Sequence, residues 1–161
     1  MDEEEFERAA RYWTDRDGAE PAAERVPEGE LRTAIEAFFT GHNTCAMATG
    51  AGEFVRCTPL EYQYRDGVFW IFSEGGLKFR ALERNVNVCL AIYEPYAGFA
   101  KLASAQVMGV AEIVDPADSV FAEAAAAKGI PADRVPKLAQ VLRLIKVVPT
   151  SIDFLDSSLK K

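Results

Sequence analysis

The chain has 161 residues, of which 49% are hydrophobic and 27% charged, as is usual for a soluble globular protein of about one domain. Residues 1–30 hold eleven acids and four bases and so carry the whole net charge of −7, whereas residues 31–161 hold fourteen of each. A balanced body without a basic stripe argues against a nucleic-acid partner. Because the sequence contains neither an apolar run of about 18 residues nor a secretory apolar region, we expect no membrane span and a cytoplasmic protein.

The N-terminal segment has the pattern of an amphipathic helix over residues 3–17, with Phe6 and Trp13 in its apolar stripe. The breaker-rich residues 18–27 follow as a linker. We therefore divide the chain into an N-terminal helix and linker, 1–27, and one folded domain, 28–161. The apolar stripe packs either on the body of the same chain or on a partner subunit.

The domain begins with a predicted helix over residues 28–40, closed by Gly41. The hydrophobic period then changes to two, which predicts strands over 44–49 and 53–64. Pro59 lies within the second strand. Since proline cannot donate to a ladder, this strand is expected at a sheet edge or a bulge.

The stretch from Phe54 to Arg84 organises the rest of the domain. Asp66-Gly67 is a strong hairpin signal, because both central positions of a type I′ turn need positive φ. A return strand over 68–72 follows, then the loop 73–76 with two glycines, then a predicted helix over 77–84. A helix that opens after glycines presents free backbone N–H groups.

Two cations belong to this unit: Lys78 lies in the first turn of the predicted helix, and Arg56 projects from the first strand. A cation near a helix N-terminus is disfavoured unless an anion is close by. The pattern therefore indicates an anion site, most simply for a phosphate. The alternative is an ordinary surface strand arginine.

The remaining sequence predicts three strand regions and two helices. The run 86–93 is nearly continuously apolar, as a strand buried on both faces would be. The other predicted elements are a strand at 105–114 broken by Gly109, a helix at 117–128 capped by Asp115-Pro116 and ended by Gly129, a helix at 131–140, and a strand pair at 141–148 and 151–155 around Pro149. Six to seven mostly antiparallel strands with flanking helices predict a mainly β (α+β) fold and a closed or split barrel.

Isolated reactive residues are few. Cys45, Cys57 and Cys89 lie in apolar runs without CxxC spacing, which predicts three buried thiols in a reducing compartment and no metal site. The single histidine, His42, is predicted to cap a helix or lie at the surface, with a haem ligand or proton donor as the alternative. Tyr93, Tyr96 and Phe99 are expected in the core, with the lining of a ligand pocket as the alternative.

Residues 30–156 resemble the pyridoxamine 5′-phosphate oxidase-like family of FMN-binding split barrels. The resemblance rests on four runs in this order: VRCTPLEY, DGVFWIFSEGGLKFRALERNVNVCLAIY, VMGVAEIV and VVPTSIDFLD. The resemblance implies a homodimer with FMN in clefts between two subunits. It implies that Arg56 and Lys78 grip the phosphate. It further implies that one strand segment, Cys57, Thr58, Pro59 and Leu60, lies along the flavin ring, and that one loop, Ser73, Glu74, Gly75 and Gly76, supplies donors.

The sequence also departs from that family's pattern. Leu77 stands where the true oxidases have a second basic residue, and Glu61 where they have a lysine. Ser104 aligns with their ring-contacting glutamine, so Gln106, two residues on and on the same strand face, is the candidate for that role. Their carboxy-terminal arginine–histidine signature is absent. The resemblance therefore does not imply a vitamin B6 oxidase.

No side chain stands out as a general acid or base, which is typical of chemistry carried by a cofactor. The resemblance favours an FMN-dependent oxidoreductase acting on an unidentified small molecule, with NAD(P)H as a candidate electron donor. The alternatives are a flavin- or haem-binding protein for storage or sensing, and a relative that uses a deazaflavin.

Overall fold

The computed structural model of the protein describes residues 2–5, 7–8 and 26–159. Residues 3–5 and 7–8 are helical, as predicted. The rest of the predicted 3–17 helix, with Phe6 and Trp13, lies outside the described residues.

Within residues 26–159 the structure has four α-helices, two 3₁₀ helices of three residues each and seven strands. The helices are α1 (Glu28–Gly41), α2 (Leu77–Leu82), α3 (Ser119–Ala127) and α4 (Val135–Val141). The strands are β1 (Thr44–Ala51), β2 (Phe54–Glu61), β3 (Gln63–Arg65), β4 (Val68–Ser73), β5 (Asn87–Tyr93), β6 (Ala103–Val114) and β7 (Arg143–Asp156). Within the described ranges, every helix falls short of the length and apolarity that a bilayer crossing requires.

The seven strands form one antiparallel sheet in the order β2-β1-β5-β6-β7-β4-β3. The two ends of this order, β2 and β3, are consecutive in the chain and meet at Tyr62, so the sheet curls into a half-barrel. Tyr62 is buried; its N–H donates to the Asn43 carbonyl (2.8 Å) and its hydroxyl to the Phe39 carbonyl (3.0 Å). The predicted antiparallel split-barrel class is confirmed.

The concave face of the sheet encloses the main core. Phe39 of α1 is fully buried there, with its ring centroid 5.0 Å from that of Phe69 and 5.1 Å from that of Tyr64. A smaller apolar cluster lies where α3 packs on β4 and β7, around Phe121 and Leu144. One face of most strands is therefore buried. The opposite face of β1, β2, β5, β6 and β7, here called the outer face, remains open except where α3 covers Val114 and Leu144.

The hairpin prediction is confirmed, because Asp66 and Gly67 join β3 to β4 with φ of 53° and 77°. The prediction that Pro59 lies on an edge strand is also confirmed, because β2 is the first strand in the sheet order. The predicted strand 53–64, however, is interrupted at Tyr62, which separates β2 from β3.

The carboxy-terminal strands differ from the prediction. Residues 141–155 do not form a strand pair around Pro149, since β7 is one strand from Arg143 to Asp156. Gly109 does not break β6 either; the register with β7 shifts between Met108 and Gly109, and Pro149 lies opposite Gly109. A β-bulge absorbs the missing N–H of the proline, so the ladder continues on both sides.

Gly109 is needed at this bulge for space. A Cβ built there would lie 2.8 Å from Val147 Cγ1 and 2.8 Å from the Val148 carbonyl oxygen. We expect Gly109→Ala to lower the free energy of unfolding by about 1–3 kcal/mol, because backbone must move to relieve the overlap. Urea unfolding measures this change. The control Gly29→Ala, where nothing lies within 4 Å, should leave stability equal or higher, and equal effects of the two substitutions would contradict the argument.

Three local predictions are corrected. The first helix of the domain includes Gly41 as its last residue, and His42, with extended φ and ψ, is the C-cap. Gly41 is therefore not a left-handed cap. The N-cap of α3 is Asp118, which accepts from the Val120 N–H (3.0 Å), rather than Asp115. β5 alternates between buried and more exposed residues, so it is buried on one face and not on both.

Candidate functional site

The structure brings Arg56 and Lys78 to the same place. Arg56 lies opposite Thr49 in the β1–β2 ladder, and Thr49 is buried on the core side. Because directly opposed residues share a face, Arg56 also projects to the core side, at the end of the sheet that α2 covers. Lys78, in the first turn of α2, is only 6% exposed, and its pKa responds to the charge of Arg56. Residues 22 positions apart thus form one cationic site.

The loop before α2 holds the ammonium of Lys78. Lys78 Nζ donates to the carbonyls of Gly75 (2.9 Å) and Glu74 (3.2 Å), and the Ser73 hydroxyl donates to the Glu74 carbonyl (3.0 Å). Gly76 has φ of 114°, a conformation that favours glycine. An ammonium has three N–H donors, so one remains for a ligand.

The electrostatics of this site favour an anion. Burial lowers the pKa of Lys78, the positive charge of Arg56 lowers it further, and Glu74 partly opposes both. Among the described residues no carboxylate pairs with Arg56 or Lys78, whereas Lys128 Nζ lies 2.7 Å from Glu61. Two adjacent cations repel each other, and an anion between them would turn this repulsion into attraction.

Two hydroxyl groups beside Arg56 also lack partners. Within the described residues, Thr49 Oγ1 and Thr58 Oγ1 are buried without a hydrogen bond. Thr49 lies across the ladder from Arg56, and Thr58 lies two residues further along the same face of β2. An unsatisfied buried hydroxyl costs about 1–3 kcal/mol, so two of them at one place suggest a functional site.

The predicted ring-contacting residues lie along the free edge of β2. Thr58 and Leu60 face the core side with Arg56, whereas Cys57 and Pro59 face the outer side. Because β2 ends the sheet, part of its backbone is open to a ligand that runs along the edge. A cavity of about 350 Å³ adjoins Pro59, lined also by Gly41, His42, Asn43, Thr44, Cys45, Ala46 and Tyr93.

Gln106 does not join this site within one protomer. It lies on the outer face in a row of ladder partners that runs from Pro59 through Ala46 and Ala91 to Gln106. Three strand spacings separate Gln106 from Pro59, or roughly 14 Å. Sequence reasoning grouped these residues, and the fold separates them.

His42 closes α1 as predicted. Its Nδ1 lies 2.7 Å from the Phe38 carbonyl oxygen, and its Nε2 lies 2.9 Å from Glu94 Oε1. The contact with Glu94 links the end of α1 to the loop after β5, across 52 residues of sequence. The prediction that Tyr93, Tyr96 and Phe99 belong to the core is wrong, since their side chains are among the most exposed apolar ones.

The three thiols differ from one another. Cys45 is buried, and burial, followed by the nearby Cys57, raises its pKa to about 12. Cys89 is half-buried, and burial raises its pKa as well. Cys57 is exposed on the outer face, so the prediction of three buried thiols is wrong for it. No cluster of three His, Cys, Asp or Glu side chains suited to a metal occurs in the described part of the chain.

Sequence reasoning missed two residues at the cationic site. Thr49 is reached only through the β1–β2 register, and Arg143 only through the pairing of β4 with β7, which places it opposite Ser73. Alternation along β1 was a weak signal for Thr49. No local sequence pattern assigns Arg143 to the cationic site, because 65 residues separate it from Lys78.

Comparison with known proteins agrees with this architecture. The family model described as pyridoxamine 5′-phosphate oxidase matches residues 31–155. No match was found among proteins of curated function. The crystal structure of a putative pyridoxamine 5′-phosphate oxidase from Listeria innocua is 21% identical, with a TM-score of 0.62, over 78% of this chain and 98% of that one.

Two further solved structures share the fold. A FAD-binding protein from Mesorhizobium loti is 16% identical, with a TM-score of 0.61, over 76% of this chain and 90% of that one. The haem storage protein HutZ from Vibrio cholerae is 16% identical, with a TM-score of 0.64, over 78% of this chain and 94% of that one. With the family model covering most of the sequence, the chain belongs to the pyridoxamine 5′-phosphate oxidase-like family.

Proposed function

We propose that the protein is a homodimeric, FMN-dependent oxidoreductase that acts on a small molecule. The observation that carries the proposal is the Arg56–Lys78 pair: two adjacent cations, one of them buried, without a carboxylate partner among the described residues. Membership of the family supports a flavin as the anionic ligand.

The residues present fit an FMN. Its phosphate would accept from the Arg56 guanidinium and from the remaining N–H of Lys78, with the loop 73–76 beside it. From Arg56, the chain of the flavin would follow the free edge of β2 past Cys57 and Thr58. Pro59 and Leu60 lie roughly 10–14 Å further along the strand, where the ring would reach the cavity beside Pro59.

Bound FMN would supply the hydride or electron chemistry, and the protein would supply binding and orientation. The phosphate grip fixes one end of the ligand, and the strand edge fixes the direction of the ring. The cavity of about 350 Å³ has the size of a small-molecule site and would admit the substrate next to the ring.

The outer face supports the homodimer. It exposes apolar side chains on four of its strands: Val55, Tyr93, Met108, Val110, Val148 and Leu155. An apolar face of this extent, continuous across neighbouring strands, is typical of an interface between subunits. A second copy seated there would also bring its own Gln106 towards the β2 edge that Gln106 cannot reach within its own protomer.

The second candidate is a flavin or haem carrier without turnover, as the names of the FAD-binding and haem storage neighbours suggest. His42, the single histidine, already has both ring nitrogens in contact with oxygen acceptors, which disfavours it as a haem ligand. A deazaflavin in the same cleft is the third candidate.

Reconstitution tests the proposal. The purified protein, incubated with FMN and passed through a desalting column, should retain about one FMN per chain and show flavin absorption bands. Oxidation of NAD(P)H by the loaded protein would support the oxidoreductase, whereas retained FMN without consumption of reductant would favour the carrier. Failure to retain FMN, together with a Soret band after incubation with haem, would contradict the proposal.

A further inference from the structure

A third cation lies at the same end of the sheet as Arg56 and Lys78. Arg143 is the first residue of β7, directly opposite Ser73, the last residue of β4. Ser73 is buried and begins the loop that holds Lys78. Because opposed residues of an antiparallel ladder share a face, Arg143 projects towards the same side as this loop.

The ring of Phe79 connects Arg143 with Lys78. Arg143 Cζ lies 5.4 Å from the centroid of this ring, and Lys78 Nζ lies 4.9 Å from it. The two cations are therefore no further apart than these two distances combined. Both are within the range at which an aromatic face attracts a cation, so Phe79 helps to hold two positive charges close together.

The charge of this cluster is not balanced by the protein around it. Among the described residues, no carboxylate forms an ion pair with Arg56, Lys78 or Arg143, and Glu74 is the acidic group that acts on Lys78. Three positive charges offset by Glu74 leave an excess of two. This excess is equal in size and opposite in sign to the charge of a fully ionised phosphate monoester.

We propose that Arg143 is a further phosphate-binding residue. It would make the site bind a doubly charged phosphate monoester more tightly than the same ligand without its phosphate group. The proposal rests on the proposed function, which places the phosphate at Arg56 and Lys78. A guanidinium presents its donors as a planar fork that matches phosphate oxygens. Arg143 is exposed, and in the proposal its guanidinium turns from Phe79 to the bound phosphate.

The test compares FMN with riboflavin, which lacks the phosphate, by titrating each into the full-length protein and following flavin fluorescence. In Arg143→Ala the dissociation constant for FMN should rise about tenfold or more, and that for riboflavin should change less than about twofold. Arg143→Lys keeps the charge and should recover part of the loss. The matched control is Arg80→Ala, an exposed arginine of α2, which should bind both ligands as the wild type does.

Inorganic phosphate, used alone, separates this proposal from the proposed function. Phosphate should raise the melting temperature of the wild type and of Arg80→Ala, and this rise should be largely lost in Arg143→Ala. An undiminished rise in Arg143→Ala, no rise in the wild type, or equal losses of FMN and riboflavin affinity would each overturn the role of Arg143. A wild type that responds to phosphate and not to FMN would overturn the flavin function and leave the phosphate site standing.

Discussion

Removing either cation of the central pair is expected to abolish tight FMN binding. Arg56→Ala and Lys78→Met should each raise the dissociation constant for FMN by about a hundredfold, because a charge-assisted hydrogen bond to phosphate contributes about 1.5–3 kcal/mol. Equilibrium dialysis or fluorescence titration measures the change. Arg84→Ala is the control, since Arg84 is an exposed arginine just beyond α2.

The stability of Lys78→Met distinguishes a binding role from a structural one. The pKa of Lys78 is lowered in the folded chain, first by burial and then by Arg56, so folding disfavours its charged form. Replacement by an uncharged side chain of similar length should therefore change the free energy of unfolding of the cofactor-free protein by less than about 1 kcal/mol at neutral pH. A loss of several kcal/mol would show that the bonds to the Glu74 and Gly75 carbonyls hold the loop, and would contradict the binding role.

The contribution of Lys78 to folding stability changes with pH in a defined direction. Because the pKa of Lys78 is lower in the folded than in the unfolded chain, its penalty on stability is complete below the folded pKa. The penalty disappears as the pH rises from that value towards 10.5, the ordinary value for lysine. The wild type should gain this increment of stability on the alkaline side, and Lys78→Met should lack it.

A charge placed on the outer face is expected to dissociate the proposed homodimer. Val110 lies on β6 beside Val148 of β7, near the middle of this apolar face. In Val110→Glu the carboxylate would be buried without a partner when two copies associate, at a cost of several kcal/mol. Light scattering should give twice 17.7 kDa for the wild type and 17.7 kDa for the variant.

The control for this experiment is Val141→Glu, because Val141 is an exposed valine at the end of α4 and does not belong to the strands that carry the exposed apolar side chains. It should remain a dimer. Alkylation of Cys57, which is exposed on the outer face of one protomer, should be slow in the wild type and fast in Val110→Glu. A wild type that is monomeric, or a Val110→Glu protein that stays dimeric, would contradict the proposed interface.

The predictions for FMN binding and for dimerisation are coupled if the flavin cleft lies between subunits. Gln106 lies roughly 14 Å from Pro59 within one protomer. In the proposed dimer we therefore expect the partner subunit to supply the Gln106 that contacts the ring of an FMN bound along β2. The monomeric Val110→Glu protein should then bind FMN more weakly, although all residues of the Arg56–Lys78 site are intact.

Local signals predicted much of the first half of the domain. Asp66-Gly67 specifies its turn through backbone preference, and Pro59 specifies an edge strand because it lacks an N–H. The glycine loop before Lys78 predicted a short helix that begins there with a cation in its first turn. Each of these signals depends on a few neighbouring residues, so no knowledge of the rest of the fold was needed.

The errors occurred where distant residues decide the outcome. The sequence around Pro149 reads as a strand break, and β7 continues because a bulge at Thr150, next to the proline, lets the ladder with β6 resume at Gly109. The apolar run of β5 reads as a strand buried on both faces, because composition does not distinguish a face covered by the rest of the chain from one left open. Cys57 was misjudged for the same reason.

By itself, the sequence determined the antiparallel class, the hairpin, the glycine-led turn and the presence of two cations suited to a phosphate, since these follow from local φ and ψ preferences and from hydrophobic period. Only the tertiary structure decided that Lys78 is buried near Arg56 without a carboxylate partner among the described residues, that Arg143 lies at the same end of the sheet, and that Gln106 stands apart. The physical reason is that ladder register and strand order bring together residues far apart in the chain, and no local preference encodes that register.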